Sequence, residues 1–253
     1  MDWLLAIRFD FDTVGDFLFD PIILRAMRET LYIALLAMVL GMGLGIVLAV
    51  MRESRNPVAS GVAGVYVWFW RATPVVLQLL LVYFGLRQVI EDDLFRDNWT
   101  RWRAAVITFG LNEAAYMAEI VRGGIQSVES GQMDAARSLG MTNLQALRRI
   151  ILPQAVRVII PPTGNEFIAM LKNTSVAFAI GVVELLNAAK IQAARNFKPM
   201  ELYTVAAFWY LVLVSIFSLL QAELERALAV SERERPETLL SRALAIISVR
   251  RGV

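Results

Sequence analysis

The chain has 253 residues, 57% of them hydrophobic, and a formal net charge of only +2. Its mean hydropathy is +0.55. That is too apolar for an ordinary soluble domain, and too weakly charged to imply a nucleic-acid partner. The sequence contains neither Cys nor His. This excludes a disulfide framework, a thiolate nucleophile, a usual zinc site and a Ser-His-Asp triad. None of Lys172, Lys190 and Lys198 follows the glycines of a P-loop, so ATP is not bound here through one.

The N-terminal residues 1–29 read as a segment outside the membrane domain. Arg8 and Asp10 interrupt its apolar run, so it is not a cleavable signal peptide. A bilayer core about 30 Å thick needs roughly 20 apolar helical residues. Five stretches qualify by length. Thr30–Met51 carries no charge, and its Gly41–Gly45 run supplies small residues for close helix packing. Pro57–Leu86 carries only Arg71, beside Pro74. Ala104–Val121 holds Glu113 and Glu119. Val158–Val183 holds Pro161, Pro162, Glu166 and Lys172. There the prolines, Gly164 and the Lys172–Ser175 stretch suggest a helix interrupted in the membrane, or else a plain kink. Leu202–Ala222 is free of charge.

The expected fold class is thus all-α and polytopic. A membrane domain covers 30–226 and a tail 227–253. An odd number of spans puts the termini on opposite sides. Arginines gather between the third and fourth stretches and in the tail. The positive-inside rule then places the N-terminus outside and the C-terminus in the cytoplasm. Trp68, Trp70, Trp99, Trp102, Tyr203 and Trp209 lie near span ends, where some can form interfacial belts. In the tail, Leu239, Leu240, Ala243, Leu244 and Ile247 share one helical face suited to a membrane surface.

One polar stretch stands apart. Met133–Leu139 favours a short helix, and Gly140 can end it in a left-handed conformation. Thr142 and Gln145 have capping-box spacing for a second helix. Pro153 is expected to stop that helix at Leu152. A DNA-reading helix-turn-helix has this outline, but no basic face extends beyond Arg148 and Arg149. An ordered loop, or a dock for a soluble subunit, are the other readings.

The spacing Asp134-Ala135-Ala136, Gly140, Ile150, Leu152-Pro153 resembles the "EAA" signature of membrane subunits in binding-protein-dependent ABC importers. Asp134 stands where that family usually has Glu. The runs AAYMAEIVRGGIQSVESGQMDAARSLGM, ILPQAVRVIIPPTGNEFIAMLKNTSVAFAIGVVELL and RATPVVLQLLLVYFGL are similar to permeases for polar amino acids. Ala72 replaces a usual Gly, and Glu113 a usual small residue.

The resemblance implies a type I importer permease fold and a coupling loop at 131–153 that docks on an ATPase. No cofactor is implied in this chain; ATP and Mg would belong to the partner ATP-binding subunits. It also implies a second permease, identical or homologous, an external substrate-binding protein, and a bacterial inner membrane.

Ionisable groups within spans are costly and mark pairs or pathways. The expected path residues are Arg71, Gln78, Asn112, Glu113, Glu119, Asn165 and Lys172, with Glu166 and Asn173 adding polar atoms. Arg71 suits a substrate carboxylate by bidentate geometry, and Glu113 or Glu119 an ammonium. Glu113 would bias the path toward a cationic or otherwise unusual amino acid, or serve as counter-ion to Arg71. A stand-alone secondary transporter or channel, using these same Arg, Lys and Glu residues, is the alternative.

Overall fold

A computed structural model describes residues 9–228. The described residues form helices in this order: α1 (Phe11–Leu18), α2 (Pro21–Arg52), α3 (Pro57–Ala72), α4 (Val75–Leu80), α5 (Leu86–Val89), α6 (Asp93–Asn98), α7 (Arg101–Gln126), α8 (Ser130–Ser138), α9 (Asn143–Ala146), α10 (Leu152–Asn173), α11 (Leu185–Asn196) and α12 (Pro199–Leu228). π turns at Leu81–Gly85 and Leu147–Ile151 join α4 to α5 and α9 to α10, and a 3-10 turn, Thr174–Ile180, follows α10. The amphipathic face at 239–247 and the tail arginines beyond 228 lie outside the described residues.

Among the described residues, three helices are long and apolar enough to cross a membrane: α2, α7 and α12. Two bent pairs raise the number to five, α3 with Val75–Val89 and Asn143–Ile180 with α11. The second expected span is therefore not one straight helix. It turns through 107° at Thr73–Pro74. Pro74 has no N–H for the carbonyl of Trp70, and its ring forces Thr73 into the extended region, at φ −107° and ψ 144°. Arg71 accordingly lies in the last turn of α3, at the bend, and not within a straight helix.

The fourth span differs in the opposite sense. Pro161 and Pro162 do not interrupt it; both lie inside the continuous α10. Packing holds the helix through them. A Cβ on Gly124 of α7 would come within 2.3 Å of Ile159, and one on Gly164 within 1.6 Å of Gln221 of α12. The amide of Gln221 also donates to the Pro161 carbonyl at 3.0 Å. The helix ends at Asn173, as the Lys172–Ser175 stretch suggested, and the chain turns at Gly181 with φ +77°.

The centre of the fold is the seam between α2 and α7. A Cβ on Gly41 would lie 2.6 Å from Cβ of Glu113, and one on Gly45 2.5 Å from Cβ of Met117. The glycine run thus permits the backbone approach expected of it. Around the seam, Ile33, Leu79, Phe109, Leu171 and Ile180 form one buried cluster, and Leu48, Val67, Trp70, Ala114 and Ala118 another. Trp70 and Trp99 are core residues rather than belt residues. Trp68 and Tyr203 remain exposed.

Candidate functional site

Helical spacing brings one face of α7 and one face of α10 to a common cavity. Phe109, Asn112, Glu113 and Tyr116 follow the i, i+3, i+4, i+7 pattern. Glu166, Met170 and Asn173 do the same from α10, and Thr73, Pro74 and Val75 close the wall at the broken corner. The cavity holds about 340 Å³, within reach of a small amino acid. Glu113 is only 3% exposed, and its Oε1 has no hydrogen-bond partner. A buried, unpartnered carboxyl oxygen is a demanding acceptor, best satisfied by a cationic donor.

The corner is braced by amides. Pro74 leaves the Trp70 carbonyl without its helical donor, and two side chains replace it. Gln78 Nε2 donates at 2.8 Å and Asn112 Nδ2 at 3.0 Å. Gln78 Nε2 also reaches Thr73 Oγ1 at 2.7 Å, and Asn112 Nδ2 donates to Gln78 Oε1 at 2.9 Å. Gln78 is thus a buried strut that shapes the wall without lining it.

The other expected path residues separate. Arg71 places its guanidinium 5.3 Å from the centre of the Tyr116 ring. It forms no ion pair with Glu113 among the described residues, so the counter-ion reading fails. Glu119 lies outside the cavity; it pairs with Arg122 at 2.7 Å and Arg52 at 3.6 Å, tying the ends of α2 and α7. Asn165 and Lys172 are exposed and do not line the cavity. On α10 they point away from the face that carries Glu166, Met170 and Asn173. Tyr116 and Phe109 were not singled out from sequence, though their spacing from Glu113 marked them.

At the other polar feature, the Gly140 corner forms as its residues predict. Gly140 has φ +77°. Its N–H donates to the Arg137 carbonyl at 2.9 Å, and Met141 N–H to the Ala136 carbonyl at 3.1 Å. These two bonds make a Schellman motif. Thr142 and Gln145 complete the capping box. Pro153 does not stop the chain. The π turn Leu147–Ile151 carries it into α10, with Pro153 in the first turn, where a missing N–H costs nothing. A widened turn also relieves the ring's clash with the preceding carbonyls. Asp134, Ala135 and Gly140 are exposed, and Leu139 is 79% exposed at the tip. Ala136 is buried, so its small side chain serves packing within the loop and not approach by a partner. Ile150 is half-buried, while Leu152 and Pro153 are exposed.

Residues 41–230 match the family described as binding-protein-dependent transport system inner membrane component. The chain belongs to this family. The permease is therefore a multi-pass inner-membrane transport component, and its family implies a separate ATP-binding subunit and a substrate-binding protein as partners. It is 45% identical to the arginine transport system permease protein ArgU of Corynebacterium glutamicum, over 96% of this chain and 79% of that one. It is 42% identical to the probable amino-acid permease protein YxeN of Bacillus subtilis, over 83% and 92%. Among solved structures, an amino acid ABC transporter with histidines matches with a TM-score of 0.79 and 37% identity, covering 87% of this chain and all of that one. The type I importer permease fold that the family resemblance implied is thereby established.

Proposed function

We propose that this permease carries cationic amino acids inward, using the cavity between α7 and α10 as its membrane binding site. The observation that carries this reading is the unpartnered buried oxygen of Glu113 beside Glu166 in one cavity. A cationic side chain would lie between the two carboxyl groups, against the Tyr116 face. Arg71, which stacks over the cavity-lining Tyr116, would receive the substrate carboxylate. The 45% identity to a permease named for arginine transport supports the same class. ATP and Mg would be bound by the partner ATPase dimer, with a second permease, identical or homologous, beside this one.

The Gly140 loop would dock on that ATPase. Asp134, Ala135, Gly140, Ile150, Leu152 and Pro153 of the signature, with Leu139 at the tip, would form or support the contact. This puts the loop and the C-terminus in the cytoplasm and the N-terminus outside. ATP-driven uptake in proteoliposomes tests both halves. Glu113→Gln should lower arginine uptake by about tenfold or more while sparing glutamine. Unchanged selectivity would refute the cation reading. Gly140→Val, strained at a positive φ, should keep ATP hydrolysis but lose uptake. Retained uptake would refute the coupling reading.

A further inference from the structure

A second cavity, of about 430 Å³, lies between α2, α7 and the π turn that enters α10, and shares no lining residue with the one at Glu113. Its floor is Met117 and Val121 of α7, both buried. Ile46 and Val50 of α2 form one wall and Val156 of α10 the other, and all three are exposed, so the cavity is an open groove. Its one hydroxyl, on Thr163, donates to the Ile159 carbonyl at 2.8 Å. No polar group is left to hold water, and an apolar space of this kind stays dry. Left empty, its lining would forfeit dispersion contacts. The groove runs along helices that cross the membrane, where the matter at hand to fill it is a hydrocarbon chain.

The π turn decides where the groove ends. Leu147 and Leu152 both line it, five residues apart. In a π turn that spacing stacks the two side chains, whereas along an α-helix they would face apart. The widened turn thus extends the apolar stripe of α10 to the base of the Gly140 loop. Arg148 and Arg149 stand in this turn, three and four residues before Leu152, and both are exposed. Neither pairs with a carboxylate among the described residues. Two guanidinium groups at the end of a dry groove match a phosphate carried on a hydrocarbon chain. Lipid tails are no more apolar than the groove, so the head group supplies the preference.

We infer that this groove seats one acyl chain of an anionic phospholipid, with its phosphate held by Arg148 and Arg149. The chain joins α2 and α7 to the π turn and so braces the base of the Gly140 loop. The site is independent of the Glu113 cavity and of the amino acid that cavity takes.

The test uses the assembled transporter, with its ATPase, in nanodiscs of phosphatidylcholine. Phosphatidylglycerol with a diazirine on one acyl chain is titrated in, and peptide mass spectrometry maps the photolabel. Saturable labelling is expected at the groove residues of α2, α7 and α10. Phosphatidylcholine with the same diazirine should mark the groove no more than other exposed residues of the spans. Ile46→Trp fills the groove and should abolish the saturable label. Val47→Trp is the control, because Val47 is 53% exposed on the same helix but does not line the groove, and it should label as wild type does. Arg148→Gln and Arg149→Gln should each raise the half-saturating phosphatidylglycerol fraction by about fivefold. Hydrogen exchange at 147–151 should slow when phosphatidylglycerol is added to the wild type, and not in the double arginine variant. Labelling spread evenly over the spans, equal labelling by phosphatidylcholine, or a saturable label that survives Ile46→Trp would overturn the inference. So would a groove that the second permease shields from both lipids.

Discussion

The α2–α7 seam and the wall of the cavity use the same helix to opposite ends. Along the middle of the seam, α7 meets α2 across glycines, with methylene and backbone atoms in contact, and the polar ties lie toward its ends, at Trp102–Glu29 and Arg52–Glu119. On the cavity side, α7 meets a corner broken by Pro74, and amide side chains replace the lost backbone bond. Glu113 belongs to both: its Cβ lies in the Gly41 notch while its carboxyl group faces the cavity. The seam fixes the position of the carboxyl group, and the corner fixes the shape of what it can bind. One region is held by close apolar packing at its glycines. The other holds its shape only while three carbonyl and amide groups remain paired.

The largest expected effect comes from breaking the seam. Gly45→Leu drives a side chain into Met117 and into the backbone at Ala114 and Ala118, all within 3.1 Å of a Cβ. Overpacking against backbone of this kind should cost about 3 kcal/mol. Thermal unfolding of the detergent-solubilised permease should show a strongly lowered midpoint, with folded protein hard to recover.

The corner should yield more gently. Gln78→Leu keeps the side chain's size but removes the donor to Trp70 and Thr73. It leaves buried acceptors short of a partner, at a cost of about 1–3 kcal/mol. Substrate affinity should fall further than stability does, because the wall at Thr73–Val75 loosens. Uptake assays would show a raised half-saturating substrate concentration in a protein that still purifies intact.

The smallest effect lies outside both regions, at the Asp10–Lys198 pair. The Lys198 ammonium holds the Asp10 carboxyl well below its ordinary value of 3.8, with Thr13 adding hydrogen bonds, and Lys198 is raised in turn by Asp10. A depressed acid stabilises the fold fully above its ordinary value and loses that contribution as pH falls through the lower folded one. Hydrogen-exchange protection factors in α1, corrected for the intrinsic pH dependence of exchange, should therefore be the same at pH 7 and pH 5. Asp10→Asn should lower the protection factors of α1 at both values.

Much of this was legible in residue order. The Gly140 turn, its capping box, the glycine seam and the five hydrophobic stretches each follow from local chemistry. The second span was not, because a hydropathy window averages over Thr73-Pro74, whose backbone effect is local and carries no charge. The fourth span misled in the other direction. Pro161-Pro162 reads as a break, yet the Gly124 and Gly164 notches lock α10 between its neighbours. Glu119 looked like a path residue because its partner Arg52 is distant in sequence. The cavity face of α7 was readable from the spacing of 109, 112, 113 and 116, but only once Glu113 was taken as its centre.

The central claim is that the membrane cavity itself selects a cation. Equilibrium binding of radiolabelled L-arginine to the assembled transporter, with the binding protein left out, addresses it most directly. The account predicts saturable binding to the membrane complex that lysine displaces and glutamine does not, weakened by about tenfold or more in Glu113→Gln. Binding that glutamine displaces equally well, or that survives Glu113→Gln unchanged, would contradict it.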